Sequence, residues 1–198
     1  VTTQTGLGAS GRSIITTALE LAEEKIGGLA QKQALLVGTG AYSRVVAVAL
    51  KRLGLQEIFV YSRAGRAEKF SSTHETSPIT ADALIQTMAS VELVVSASGS
   101  KGYAIDVEMA KSVSSARRQK EPLVLIDVAL SKDVAPEVSG LAKMSVIDLE
   151  EIKARGGPVI AIVNQGDHRV AALADDIIEV PTVDEFLQPI VASIPLQL

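Results

Sequence analysis

Apolar positions along this chain follow two rhythms, one helical and one continuous, and together they predict its elements. Between Ser13 and Ile26, apolar Ile14, Ile15, Ala18, Leu19, Leu21, Ala22 and Ile26 recur at helical spacing, leaving Glu20, Glu23, Glu24 and Lys25 for solvent. Gly27-Gly28 stops that helix. Ala34-Leu35-Leu36-Val37 is an unbroken apolar run, as expected of a strand covered on both faces. From Ser43 to Leu53 the positions Val45, Val46, Val48, Ala49, Leu50 and Leu53 predict a helix buried on a broad face, with Gly54 closing its carboxyl end. Glu57 to Tyr61 is the next strand. Residues 67 to 80, with Ser71, Ser72, Thr73, Thr76, Ser77 and Pro78, read as an irregular stretch in which any third strand is very short.

A helix from Thr80 or Ala81 to Met88 and a strand from Val91 to Ser96 follow. Next come a helix from Val107 to Ala116 and a solvated stretch, Arg117-Arg118-Gln119-Lys120. Leu123 to Ala129 is a strongly apolar strand, Ser131 to Val138 a loop with a short turn, and Ser145 to Leu149 a short strand. The tail repeats the alternation: strand from Pro158 to Val163, helix from Asp167 to Asp176, strand from Ile177 to Val180, apolar helix from Val183 to Leu198. Strands alternating with helices predict an α/β protein, Rossmann-like and doubly wound, with a mainly parallel sheet and helices on both faces. The expected organisation is a linker over 1–12, a nucleotide-binding part over 13–150, and a strand-helix-strand-helix segment over 151–198 completing the same domain.

Composition narrows the chemistry. The chain has 198 residues, 47% of them hydrophobic, with three Phe, three Tyr and no Trp, which suits aliphatic parallel strands and not the stacking of nucleic-acid bases. Nineteen basic against twenty-three acidic residues give a net charge of -4, so no basic field attracts a polyanion. No cysteine is present, which excludes disulfides, thiolate metal sites and a thiol nucleophile, and the two histidines, His74 and His168, are far apart in sequence. No metal site is expected. No apolar run reaches the ~18 residues of a membrane span, and a soluble, cytoplasmic protein is expected, with homo-oligomerisation left open. The opening Val1 to Gly11 reads as the interior of a linker, and the chain as a piece of a longer one.

The candidate site begins where the first strand ends. Gly38-Thr39-Gly40-Ala41-Tyr42-Ser43 forms a glycine turn running into a helix, where free N–H groups and the positive end of the helix dipole meet and can hold a pyrophosphate. Serine stands at Ser43 where the dinucleotide fingerprint has its third glycine, so the turn reads either as a phosphate cradle or as an ordinary strand-to-helix connection. The second strand ends in Ser62-Arg63, with Arg66 close behind, at the place where a site for NAD carries an acidic residue. Two guanidinium forks and a hydroxyl there favour a 2'-phosphate, hence NADP(H), unless both arginines only solvate a loop. Ala97 and Ser98, in the small-residue loop Ala97-Ser98-Gly99-Ser100 after Ser96, allow a nicotinamide ribose to approach closely, or form a compact turn. No histidine base is placed near Ser98 or Ser100, so no catalytic residue is assigned. Asp127 reads as a structural carboxylate bonding loop amides.

Several of these motifs occur together in one family. The opening Thr3 to Gly11, the Val37-Gly38-Thr39-Gly40 turn, the Tyr61-Ser62-Arg63 strand end, Ser96-Ala97-Ser98-Gly99, and Leu125-Ile126-Asp127-Val128-Ala129 followed by Asp133 to Val138 resemble the NADPH-binding domain of glutamyl-tRNA reductase. The resemblance covers about the first 150 positions. It implies an NADPH site; the family's reduction of glutamyl-tRNA to glutamate-1-semialdehyde runs through a thioester on a cysteine of a preceding catalytic domain, and this chain has no cysteine. From Lys153 onward the residues Gly156-Gly157-Pro158-Val159-Ile160-Ala161-Ile162-Val163, Val170 to Pro181 and Glu185 to Leu198 are instead similar to the sugar-isomerase half of glutamine-fructose-6-phosphate aminotransferase.

Together the two resemblances imply a chimera joined near residues 149 to 156, engineered rather than natural, its sheet able to continue across the join. The expected function is a Rossmann-like domain retaining NADP(H) binding without catalysis of its own. The alternatives are the NADPH-binding domain of a glutamyl-tRNA reductase, an oxidoreductase of tetrapyrrole (porphyrin) biosynthesis, and a sugar-phosphate binding module.

Overall fold

In a computed structural model, described for residues 14–99, 102–129, 131–156, 160–166 and 176–181, six strands form one parallel sheet. The elements run α1 (Ile14–Ile26), β1 (Gln33–Val37), α2 (Ala41–Arg52), β2 (Glu57–Tyr61), α3 (Ala67–His74), β3 (Ser77–Pro78), α4 (Leu84–Ser90) and β4 (Leu93–Ser96). Then follow α5 (Val107–Ala116), β5 (Leu123–Asp127), a 3-10 turn (Pro136–Gly140), β6 (Met144–Ile147), α6 (Leu149–Ala154), β7 (Ile160–Asn164) and β8 (Asp176–Val180). The strand order β3-β2-β1-β4-β5-β6 is doubly wound, reversing direction between β1 and β4. The predicted fold class is the observed one.

The unbroken apolar strands are explained by burial on both sides. Along β1, Ala34 and Leu36 enter one core while Leu35 and Val37 enter the other, and β4 and β5 alternate in the same way. Helices α1, α2, α3 and α6 close the first core, with Ile15, Leu19, Val46, Leu50, Phe70 and Ile152; α4 and α5 close the second, with Met88 and Val113. The registers align the carboxyl ends: Tyr61 pairs with Val37, Val37 with Ser96, and Ser96 with Asp127. Everything polar that follows these four residues therefore gathers along one edge.

Three expectations change. The polar stretch after residue 66 is helical, because Ala67, Phe70 and Ser71 sit at helical spacing and are buried; Glu75, in the left-handed region at φ 47°, ends it. The third strand is very short, as expected, at two residues. Arg117 is not solvated but 2% exposed: its guanidinium donates to the carbonyls of Ala89 (3.2 Å), Val91 (2.7 Å) and Glu121 (3.0 Å), and desolvation lowers its pKa. A long cation whose Nε and Nη1 reach backbone carbonyls is able to stand where a short polar side chain would leave those carbonyls bare. In the tail, β7 and β8 pair in parallel with each other from Ile160–Asp176 to Asn164–Val180, forming a second sheet of two strands and not an extension of β6. The expected linker over 1–12 and the helices expected over 167–176 and 183–198 lie outside the described residues, save Asp176, which opens β8.

Candidate functional site

The turn after β1 is shaped by Gly38. Its φ of +120° is one that L side chains rarely adopt, and a Cβ there would lie 2.6 Å from the Ala97 carbonyl oxygen and 2.9 Å from Ser98 Cα. The missing side chain lets the loop after β4 lie directly on the loop after β1. Hydrogen bonds fix both strand ends: Gly38 N–H donates to the Tyr61 carbonyl and Ala97 N–H to the Val37 carbonyl, each at 2.9 Å.

Gly40 is the N-cap of α2. It offers no side-chain acceptor to the helix's first N–H groups, and the space beside its Cα is open. Ala41 is exposed in the first turn, while Tyr42 keeps 36% of its surface exposed and the rest covered. The Tyr42 hydroxyl meets the Ile15 backbone, which pulls its pKa down, but burial outweighs this and pushes it up to about 12. Ser43, the residue in place of a third glycine, is fully buried and donates to the Ala97 carbonyl at 3.4 Å. A serine thus fits the close helix-to-sheet contact, its hydroxyl satisfied by the same peptide that abuts Gly38.

On the β2 side, the Thr39 and Ser62 hydroxyls face each other at 3.2 Å. Arg63 and Arg66 are both exposed, and Arg63 donates to the Tyr103 carbonyl at 3.1 Å. Since β1 lies between β2 and β4, that bond reaches from the loop after β2 to the loop leading into α5. The structure therefore brings Gly38, Ser43, Ala97 and Ser98 into one contact and Thr39 and Ser62 into another. Gly40, Ala41, Tyr42, Arg63 and Arg66 stand on the same strand-end edge.

The residue that the sequence reading passed over is Asp133. It is fully buried; its Oδ2 accepts from Ser96 Oγ (2.8 Å) and Ser98 N–H (2.6 Å), and its Oδ1 from Ser98 Oγ (2.8 Å). Its own carbonyl accepts from the N–H groups of Ala104 and Ile105 at 2.7 and 3.0 Å. Asp127 has the structural role expected of it, accepting from Ala129 N–H (3.0 Å) and Val134 N–H (2.9 Å). Burial, helped by the neighbouring Asp133 charge, raises its pKa to about 6 against the pull of those amides. The available signal for Asp133 was a carboxylate leading directly into the apolar run Val134-Ala135-Pro136.

A doubly wound sheet with a glycine turn at its switch point, an uncapped helix start and a basic strand end defines a Rossmann-like domain of the nucleotide-binding type. The chain belongs to the Shikimate / quinate 5-dehydrogenase family, whose sequence pattern it matches over residues 20–155. A second pattern, the SIS domain, matches residues 134–198, so the change of character in the tail is seen here too, with both patterns sharing 134–155. Among individual proteins, the glutamyl-tRNA reductase of Clavibacter michiganensis is 32% identical over 152 residues, 77% of this chain and 35% of its own length. That of Salinispora arenicola is 31% identical over 187 residues, 93% of this chain and 40% of its own length. The chain thus spans about a third of the length of the curated relatives it matches. The solved glutamyl-tRNA reductase from Methanopyrus kandleri superposes with a TM-score of 0.67 at 28% identity, over 74% of this chain and 38% of that one. Among the described residues no helix is long and apolar enough to cross a membrane.

Proposed function

We propose that this chain is the NADP(H)-binding domain of a glutamyl-tRNA reductase. The observation that carries the reading is the turn itself: Gly38 lets the β4 loop close against it, while Gly40, with open space beside its Cα, gives the start of α2 no side-chain cap. A helix start without a side-chain cap leaves its first N–H groups for an anion such as a pyrophosphate. The amides of residues 39 to 43 would hold the pyrophosphate, Thr39 and Ser62 the adjoining ribose, and Arg63 and Arg66 the 2'-phosphate. Ala97 and Ser98 would pass beneath the nicotinamide ribose. When bound, the cofactor would supply hydride. The chain's own part is to bind and orient it, since no cysteine is present for a thioester. Reduction of glutamyl-tRNA, and any cytoplasmic or oligomeric setting, belong to the longer protein that the relatives exemplify.

The second reading, an engineered or natural fusion with a sugar-isomerase tail, has the SIS match behind it. The alignment to the Salinispora reductase, which runs through 93% of the chain, supports the first reading over an engineered fusion without catalysis. Titrating NADPH by its fluorescence tests the proposal. Saturable binding with NADH weaker by tenfold or more is expected from an arginine-lined 2'-phosphate site; no binding at millimolar NADPH would refute it. A rise in melting temperature with fructose-6-phosphate and none with NADPH would favour the sugar-phosphate reading.

A further inference from the structure

We infer that Asp133 is a positioning residue for one half of the nucleotide site, acting through Ser98. This rests on the cofactor reading above. The carboxylate is fully buried in the loop after β5, yet both of its oxygens are given to the loop after β4: Oδ2 to Ser98 N–H at 2.6 Å, Oδ1 to Ser98 Oγ at 2.8 Å. The peptide it holds is the one that packs on Gly38, where the Ala97 carbonyl and Ser98 Cα occupy the space of the missing Cβ. The same carbonyl accepts from Ser43 Oγ, at the first turn of α2. A charged group two strands away from β1 thereby sets the height of the floor beside the glycine turn.

The topology makes this influence one-sided. Arg63 and Ser62 follow β2, the loop of Ala97 and Ser98 follows β4, and β1 separates them. A dinucleotide laid across the switch point places its adenosine half over β2 and its other half over β4. Asp133 touches nothing on the β2 side through its side chain: its carboxylate bonds are to Ser96 and Ser98 alone among the described residues. Its effect therefore falls on the β4 half of the ligand and spares the adenosine half. A residue needed only for folding would affect both halves alike.

The ligand pair NADP+ and 2',5'-ADP separates the two roles, since the second is the adenosine half alone. In Asp133→Asn the amide oxygen can still accept from Ser96 Oγ and Ser98 N–H and the N–H2 can donate to Ser98 Oγ, but the negative charge that strengthens all three bonds is lost. Calorimetric titration is expected to show NADP+ binding weakened roughly tenfold or more, the scale of one lost charge-assisted hydrogen bond. Binding of 2',5'-ADP should stay within about twofold of the wild type, inside the usual scatter for a remote change. Ser96→Ala, which removes a bond of 2.8 Å to the same carboxylate but none to the loop, is the control and should bind both ligands as the wild type does. Should Asp133→Asn fail to fold, Ser98→Ala, which removes the 2.8 Å hydroxyl bond and keeps the amide bond, is expected to show the same one-sided loss at a few-fold.

Equal weakening of both ligands, or no weakening of either in a folded variant, would overturn the inference. A wild-type chain that binds neither ligand would instead overturn the cofactor reading on which it rests.

Discussion

Replacing Gly38 by alanine tests the site and the fold together. The new methyl group would have to be carried at φ +120°, a strain of ~1–3 kcal/mol for a residue with a Cβ. It would also lie 2.6 Å from the Ala97 oxygen and 2.8 Å from the Ala97 carbonyl carbon, and these are backbone atoms that cannot rotate away. The Ala97 peptide is tied on both sides, by Ala97 N–H to Val37 at 2.9 Å and by Ser98 N–H to Asp133 at 2.6 Å, so relief requires breaking one of those bonds or moving β1. Overpacking of this kind costs ~1–3 kcal/mol. The two effects together give a loss of about 2–6 kcal/mol, a large part of the stability of an ordinary domain.

Urea unfolding followed by circular dichroism measures it, with Gly40→Ala as the partner variant. Gly40 has an ordinary φ of -75° and nothing within 4 Å of an added Cβ, so its alanine variant should lose under ~1 kcal/mol, the scale of a weakened N-cap. That methyl would nonetheless occupy the open space beside the Gly40 Cα, next to the amides proposed to hold the pyrophosphate, and NADPH affinity should fall. Gly38→Ala within about 0.5 kcal/mol of the wild type, the range of an inert surface change, would refute the reasoning, as would Gly40→Ala proving the more destabilising of the two.

Other positions yield independent expectations. Arg63→Ala should weaken NADPH roughly tenfold, one charge-assisted contact, and leave NADH unchanged in the same fluorescence titration; equal losses would remove Arg63 from the 2'-phosphate site. Arg117→Met keeps the apolar stem but leaves the carbonyls of Ala89, Val91 and Glu121 without their donor. A loss of about 2–4 kcal/mol in urea unfolding is expected, and an unchanged midpoint would contradict the buried role. Asp127 has a folded pKa of about 6 against an ordinary 3.8. Between those values the folded state holds the extra proton, so the contribution of Asp127 to stability falls as pH rises across that window, by up to ~3 kcal/mol, and is level above it. The stability difference between wild type and Asp127→Asn should therefore change from pH 4 to 6.5 and stay constant from 6.5 to 8; a difference independent of pH throughout would contradict it.

The fold was legible where burial is two-sided. Leu35-Leu36-Val37 and Leu123 to Ile126 could only be strands covered on both faces, and the spacing of Val46 and Leu50 could only be a helix lying on them. The glycine turn was legible too, because its two positions have different needs: Gly38 a backbone no other residue adopts easily, Gly40 open space beside its Cα. What escaped was long-range and polar. Phe70 anchors a helix in a stretch whose serines and threonines suggest a loop, because one large apolar residue with Ala67 beside it is enough once a sheet face is there to receive it. Arg117 looks like its neighbours Arg118 and Lys120, and only the carbonyls of Ala89 and Val91, far away in sequence, give it a buried place. The role of Asp133 escaped for the same reason, since its partners lie 35 and 37 residues upstream. The Arg63 bond to Tyr103, 40 residues apart, follows from the order of strands and from nothing in the local sequence.

The central claim is that a dinucleotide lies across the turn from Gly38 to Ser43 with its phosphates on the backbone amides. Amide chemical-shift mapping of the nitrogen-15-labelled chain during titration with NADP+ tests it most directly. The account predicts saturable shifts that are largest at residues 39 to 43, with Arg63 and Ser98 following on either side. Shifts concentrated in the β7–β8 sheet, or none at millimolar NADP+, would contradict it.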